Sequence, residues 1–128
     1  MIGYITLGTN NLERAGKFYD TLLAEIGARR VMTDVRMLGW GTDPEKTMFS
    51  VITPFDENEA TIGNGVMIAF DVETPEAVER VYEKAIELGC ADEGHPHDRG
   101  SSMGFYGGYF RDPDGNKLVA YCLGYEPA

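Results

Sequence analysis

The chain carries one pattern twice, 63 positions apart. Ile5-Thr6-Leu7 leads into Leu12-Glu13-Arg14-Ala15-Gly16-Lys17-Phe18-Tyr19-Asp20, and Ile68-Ala69-Phe70 leads into Pro75-Glu76-Ala77-Val78-Glu79-Arg80-Val81-Tyr82-Glu83. At this offset Glu13 falls on Glu76, Lys17 on Arg80, Tyr19 on Tyr82 and Leu23 on Ile86, while Gly27 and Gly89 close the two segments one residue out of step. A strand–helix start repeated within 128 residues predicts two similar modules in one domain. The reading places module one at about 1–62 and module two at about 63–128. A functional site is expected in the groove between the halves.

Elements follow from periodicity. Leu12, Ala15, Phe18, Tyr19, Leu22, Leu23 and Ile26 recur at helical spacing behind a capping Asn10 or Asn11, and Gly27 is a natural stop. Strands are expected at about 29–33, 35–40 and 48–53. In the second half a strand at 66–72 precedes a helix capped by Thr74 with Pro75 in its first turn, ending at Gly89. The stretch Glu93–Met103, rich in His, Pro and Gly, reads as a loop. Strands at 105–111 and 117–123 flank Asp112-Pro113-Asp114-Gly115-Asn116, where Pro presets one φ and Gly supplies a positive one. Each half is therefore β-α-β-β-β.

Composition excludes several classes. A net charge of −10 argues against nucleic acid, whose backbone needs clustered Lys and Arg. It is compatible with a cationic ligand and also serves solubility. No apolar run approaches the ~20 residues that span a bilayer. Two cysteines, Cys90 and Cys122, are too few for a disulfide scaffold, and the first residues read as a strand rather than a signal peptide, so a cytoplasmic location is expected.

Three pieces in order, Asn11-Leu12-Glu13-Arg14-Ala15-Gly16-Lys17-Phe18-Tyr19, the second strand–helix start at Met67, and Arg111-Asp112-Pro113-Asp114-Gly115-Asn116-Lys117, resemble the vicinal oxygen chelate superfamily. That group includes glyoxalase I, extradiol dioxygenases and the fosfomycin- and bleomycin-resistance proteins. The resemblance implies an α+β fold of two tandem β-α-β-β-β modules forming a cupped mixed sheet with helices outside. It also implies pairing into a homodimer.

Alternation on the strands then assigns faces. Tyr4 and Thr6, Met67 and Ala69, Phe49, Val51 and Thr53, and Lys117, Val119 and Tyr121 are expected to face the cup. Asp71 is expected on the opposite face. Metal-dependent members of the superfamily place His or Glu at one cup position on each of four strands. Matched residue by residue, those positions here are Tyr4, Val51, Met67 and Val119. Val has no donor, a thioether is soft and a lone phenol is insufficient, so no metal and no other cofactor is expected.

Outside those positions, His95-Pro96-His97-Asp98-Arg99 is the one cluster of catalytic-type residues. Two His at i and i+2 in an extended segment could grip a metal, act as acid and base, or contact a substrate. Arg99 can hold an anionic group at two points, whereas Arg111 beside the Asp112 turn is expected to pair locally. Lys117 is expected at the cup or snorkelling from it. The Gly107-Gly108 pair inside a strand marks a bulge or a close approach.

These residues predict a metal-free protein that binds a small organic molecule in the manner of the bleomycin-resistance branch. Tyr4, Phe49, Met67 and Tyr121 would line the site, with His97 and Arg99 at its rim. The alternative is an enzyme of the same superfamily, lyase- or dioxygenase-like. It would use Tyr, His and Arg groups without metal, or with metal at the His95–His97 loop.

Overall fold

A computed structural model describes residues 1–100 and 102–127. The chain divides into two compact units, Met1–Gly63 and Asn64–Ala128. Each is an α+β unit in which one helix covers one face of a four-stranded mixed sheet. The other face is helix-free.

In the first unit β1 (Tyr4–Gly8), α1 (Leu12–Ala24), β2 (Arg29–Thr33), β3 (Met37–Gly41) and β4 (Met48–Ile52) give the sheet order β1-β4-β3-β2. β1 and β4 are parallel, and the other pairs are antiparallel. Asn11 caps α1, its side chain accepting from the Arg14 N–H at 2.9 Å. The helix buries Ala15, Phe18, Tyr19, Leu22 and Leu23, the apolar set expected from the 3.6-residue period. Beneath it, the Tyr19 ring lies 4.7 Å from Phe49 and 5.5 Å from Trp40 between centroids. The buried Trp40 satisfies its indole N–H on Asp20, 2.8 Å away, and Asp20 also accepts from Arg30.

The second unit repeats this plan. β5 (Ile68–Asp71), α2 (Pro75–Glu87), β6 (Ala91–Asp98), β7 (Tyr106–Arg111) and β8 (Lys117–Cys122) give the order β5-β8-β7-β6, again with the first pair parallel. Thr74 caps α2 by accepting from Ala77 N–H at 3.1 Å, with Pro75 in the first turn. Val78, Val81 and Ala85 pack on Phe110, Leu118, Ala120 and Cys122, all at most 1% exposed. The β7–β8 turn is closed by the buried Asp112, whose carboxylate accepts from the N–H groups of Asp114 and Asn116 and from the Asn116 amide.

Two expectations are corrected. First, Phe49 and Val51 lie on the helix side of β4. In the parallel register Ile5 pairs with Phe49 and Leu7 with Val51, and partners share a face. Phe49 and Val51 are 7% and 0% exposed. Met48, Ser50 and Ile52 therefore occupy the helix-free face with Tyr4 and Thr6. Second, the stretch expected as a loop from Glu93 begins as strand β6, which reaches Asp98. It is a sheet-edge strand with register shifts between Asp92 and Gly94 and between Gly94 and His97. An edge position tolerates Pro96 because no neighbour requires its missing N–H.

Candidate functional site on the second sheet

The helix-free face of the second unit gathers most of the chemistry. Tyr109 on β7 pairs with Val119 on β8, and Gly107 with Tyr121, so these residues share that face. Tyr121 stacks on Phe105, with ring centroids 5.0 Å apart and planes 3° from parallel. Gly107 makes this possible: a Cβ there would lie 2.7 Å from the Phe105 ring. The Gly107-Gly108 pair is thus a double close approach rather than a bulge, with Gly108 receiving Pro96 and Tyr82 on the helix side.

With Pro96 turned to the helix side, His95 and His97 turn the other way. Their ring centroids are 5.3 Å apart, and the Nδ1 of His97 lies 3.0 Å from the His95 carbonyl. Arg99 reaches back across β6. Its Nε and one terminal nitrogen donate to the Gly107 carbonyl, and the same nitrogen donates to the Gly94 and His95 carbonyls. The Gly94 and His95 carbonyls lie where β6 departs from regular pairing, so Arg99 ties this stretch of the edge strand to β7. Its guanidinium carbon lies 4.9 Å from the Tyr109 ring centroid, and Lys117 Nζ lies 5.4 Å from the same ring. Arg111 donates locally to the Gly115 carbonyl of the turn, whereas its acid partner is Glu93 on the neighbouring strand β6, 3.1 Å away, rather than a residue beside the turn.

Four tyrosines on the strands and helix of the second unit fall into two groups. On the helix side, Tyr82 donates to Asp92 at 2.8 Å and Tyr106 to Glu79 at 2.7 Å. Burial, followed by the Asp92 hydrogen bond, pushes the Tyr82 phenol up to about 12. The Glu79 hydrogen bond, followed by burial, does the same for Tyr106. On the helix-free face, the half-buried Tyr109 and Tyr121 have no hydrogen-bond partner for their hydroxyls among the described residues.

Of the expected site residues, Tyr121, His97 and Arg99 share this face, and Met67, 40% exposed, continues the alternation of Ala69 just before β5. Asp71 pairs with Tyr121 and so joins this face too, correcting the expected opposite orientation. Tyr4, 59% exposed, occupies the helix-free face of the first unit, paired with Met48. Phe49 belongs to the first unit's core. Tyr109 and Lys117 gain prominence over their place in the sequence reading; their signal was the alternation through Tyr109, Arg111, Lys117 and Val119.

The sequence matches the Glyoxalase/Bleomycin resistance protein/Dioxygenase superfamily over residues 1–120. The chain belongs to this superfamily. A glyoxalase/bleomycin resistance protein from Albidiferax ferrireducens is 30% identical with a TM-score of 0.86, covering 99% of both chains. A hypothetical protein from S. aureus is 26% identical with a TM-score of 0.70, covering 95% of this chain and 92% of its own. A lactoylglutathione lyase from Agrobacterium tumefaciens, 20% identical with a TM-score of 0.69 over 94% and 92% of the two chains, shares the fold. No curated protein matches.

The corrected register changes one of the four positions at which the superfamily resemblance implies metal ligands. On β4 the helix-free residues beside Val51 are Ser50, whose hydroxyl donates to the Ile5 carbonyl, and Ile52, which has no donor. In the first unit Tyr4 and Ser50 offer a phenol and a hydroxyl already engaged, and in the second Met67 and Val119 offer a soft thioether and no donor at all. Among the described residues no three His, Cys, Asp or Glu side chains converge as a metal site, and none of the helices is long and apolar enough to cross a membrane.

Proposed function

We propose that this superfamily member is a metal-free small-molecule-binding protein that takes its ligand on the helix-free face of the second sheet. The observation that carries this reading is the contrast between tyrosines. The hydroxyls of Tyr82 and Tyr106 are engaged by carboxylates, whereas those of Tyr109 and Tyr121 are left unpartnered on an aromatic floor beside Lys117. Ligand sites combine apolar surface with a few convergent polar groups in this way. The floor suits a flat organic molecule, and Lys117 with the remaining edge of Arg99 suits an acidic substituent on it. His97 and Met67 flank the surface. We also propose a homodimer, since the outer strands of a sheet need covering. Sedimentation as a monomer at micromolar concentration counts against that.

The experiment for the binding site is a thermal-shift screen of aromatic acids against protein treated with EDTA, followed by Tyr121→Phe and Lys117→Gln. Each variant is expected to weaken a hit, by about 1 kcal/mol for Tyr121→Phe and somewhat more for Lys117→Gln. Hits that appear only after zinc, nickel, iron or manganese is restored favour the enzyme alternative. Hits indifferent to both substitutions refute the site.

A further inference from the structure

The first unit holds a separate hollow of about 280 Å³ on the helix-free side of its sheet. Its origin is local. Trp40 points under α1, so its neighbours Gly39 and Gly41 point to the helix-free side, where they present no side chain. β2 has a register shift between Arg30 and Met32: Arg30 pairs with Trp40 and Met32 with Gly39, leaving Val31 as the extra residue. Val31 turns toward Gly41, its Cγ2 3.8 Å from where a Cβ would sit. Met48 slides over Gly39, with its sulfur 2.5 Å from the equivalent point there. Val31, Met48 and Pro44 thus wall a trough that Gly41 keeps open, and the turn after β3 closes one end.

Two cations face this trough, Arg29 and Lys46. Among the described residues neither has an acidic partner or a side-chain hydrogen bond, in a chain with 21 acids and 11 bases. At least four of the nine other cations pair with acids: Arg30 with Asp20, Lys17 with Glu13, Lys84 with Glu87 and Arg111 with Glu93. Asp43 also lines the trough, its carboxylate accepting from the Glu45 N–H at 2.9 Å within the turn, so the lining carries two positive charges and one negative. Apolar walls with two unpaired cations at the rim match an organic anion with a hydrophobic body, and a guanidinium grips a carboxylate with two parallel hydrogen bonds. The flexible Met48 thioether can adapt to the shape of the body.

We propose that the trough formed by Arg29, Val31, Gly41, Pro44, Lys46 and Met48 is a binding site for a small monocarboxylate with an apolar body. It lies in the other unit from the tyrosine surface and stands independently of the proposed function.

The test is a two-dimensional amide NMR titration of the full chain with benzoate, and with benzamide as the uncharged isostere. Benzoate is expected to cause saturable shifts at Val31, Gly41, Thr42 and Lys46, with benzamide about ten-fold weaker at the same amides. The double variant Arg29→Gln/Lys46→Gln should lose the preference for benzoate. Gly41→Val, which keeps both charges and fills the trough, should abolish the shifts; if it does not fold, the charge variant decides. Equal binding of the two probes, or benzoate shifts confined to residues around Tyr109 and Tyr121, would overturn the proposal. Absence of saturation at Val31, Gly41, Thr42 and Lys46 would also overturn it.

Discussion

Under its helix, the first unit builds its core from an aromatic cluster, Tyr19, Phe49 and Trp40, and ties α1 to the sheet through Asp20, Arg30 and the Trp40 indole. The second unit uses smaller aliphatic residues around Phe110 and ties α2 to the sheet through Tyr82 with Asp92 and Glu79 with Tyr106. On the helix-free faces the emphasis reverses. The first is lined by Tyr4, Thr6, Gly39, Met48 and Ser50, the second by Phe105, Tyr109, Lys117 and Tyr121, which carry three rings. The same topology fixes both helix sides by packing and leaves the other faces free to differ. That difference is what the proposed ligand surface on the second unit rests on.

The largest expected effect tests whether the two cores are equally structural. Trp40→Ala and Phe110→Ala remove the residues at matching sheet positions, paired with Phe49 and Leu118. Each should cost about 3–5 kcal/mol in urea denaturation. Trp40→Ala should be the worse of the two, because Asp20 also loses a donor. If either variant loses less than about 1 kcal/mol, that helix side is not the core described above.

A smaller effect separates the two helix-free faces. Alanine at Gly107 meets the rigid Phe105 ring at 2.7 Å and the Val119 Cγ2 at 3.3 Å, whereas alanine at Gly39 meets only the movable end of Met48. Gly107→Ala should therefore cost about 1–3 kcal/mol and unstack Phe105 from Tyr121. Gly39→Ala should cost less than that. Reversal of this order would mean that the aromatic stack is not held in place by the sheet.

The smallest effect is the polar tie of the second unit. Tyr106→Phe should cost about 1 kcal/mol near neutral pH. The folded phenol of Tyr106 is raised from 10.0 to about 12, so its contribution is complete below pH 10 and fades as pH rises through about 12. Asp92 has the opposite sign. The Gly94 N–H, then the Tyr82 hydroxyl, hold its carboxyl below the usual range, so its contribution is present above that range and is lost as acid passes the depressed value. Denaturation midpoints followed up to pH 12 should converge for wild type and Tyr106→Phe. Parallel curves would remove Tyr106 from the account.

Much of the topology was legible because the repeat aligns the two strand–helix starts, and the caps Asn11 and Thr74 mark the helix starts within a residue or so. β4 was misread because Met48-Phe49-Ser50-Val51-Ile52 is apolar on both faces; alternation then gives no sign, and only the small Ser50 between larger neighbours hinted at the register. β6 was hidden because its two irregularities break period-2 alternation and Pro96 suppresses a strand reading. Of the site, Tyr121 was legible from β8 alternation. The engagement of Arg99 by the carbonyls of its own edge strand was not, because no local pattern announces which carbonyls irregular pairing leaves open.

The most direct test of the central claim is side-chain NMR mapping, on aromatic-labelled and metal-stripped protein, of the strongest aromatic-acid hit from the thermal screen. Intermolecular contacts are expected from the hit to the rings of Tyr109 and Tyr121, with none to Tyr82 or Tyr106, and the affinity should be unchanged when divalent ions are added back. A hit that contacts neither Tyr109 nor Tyr121, or that binds only with a divalent ion present, would contradict it.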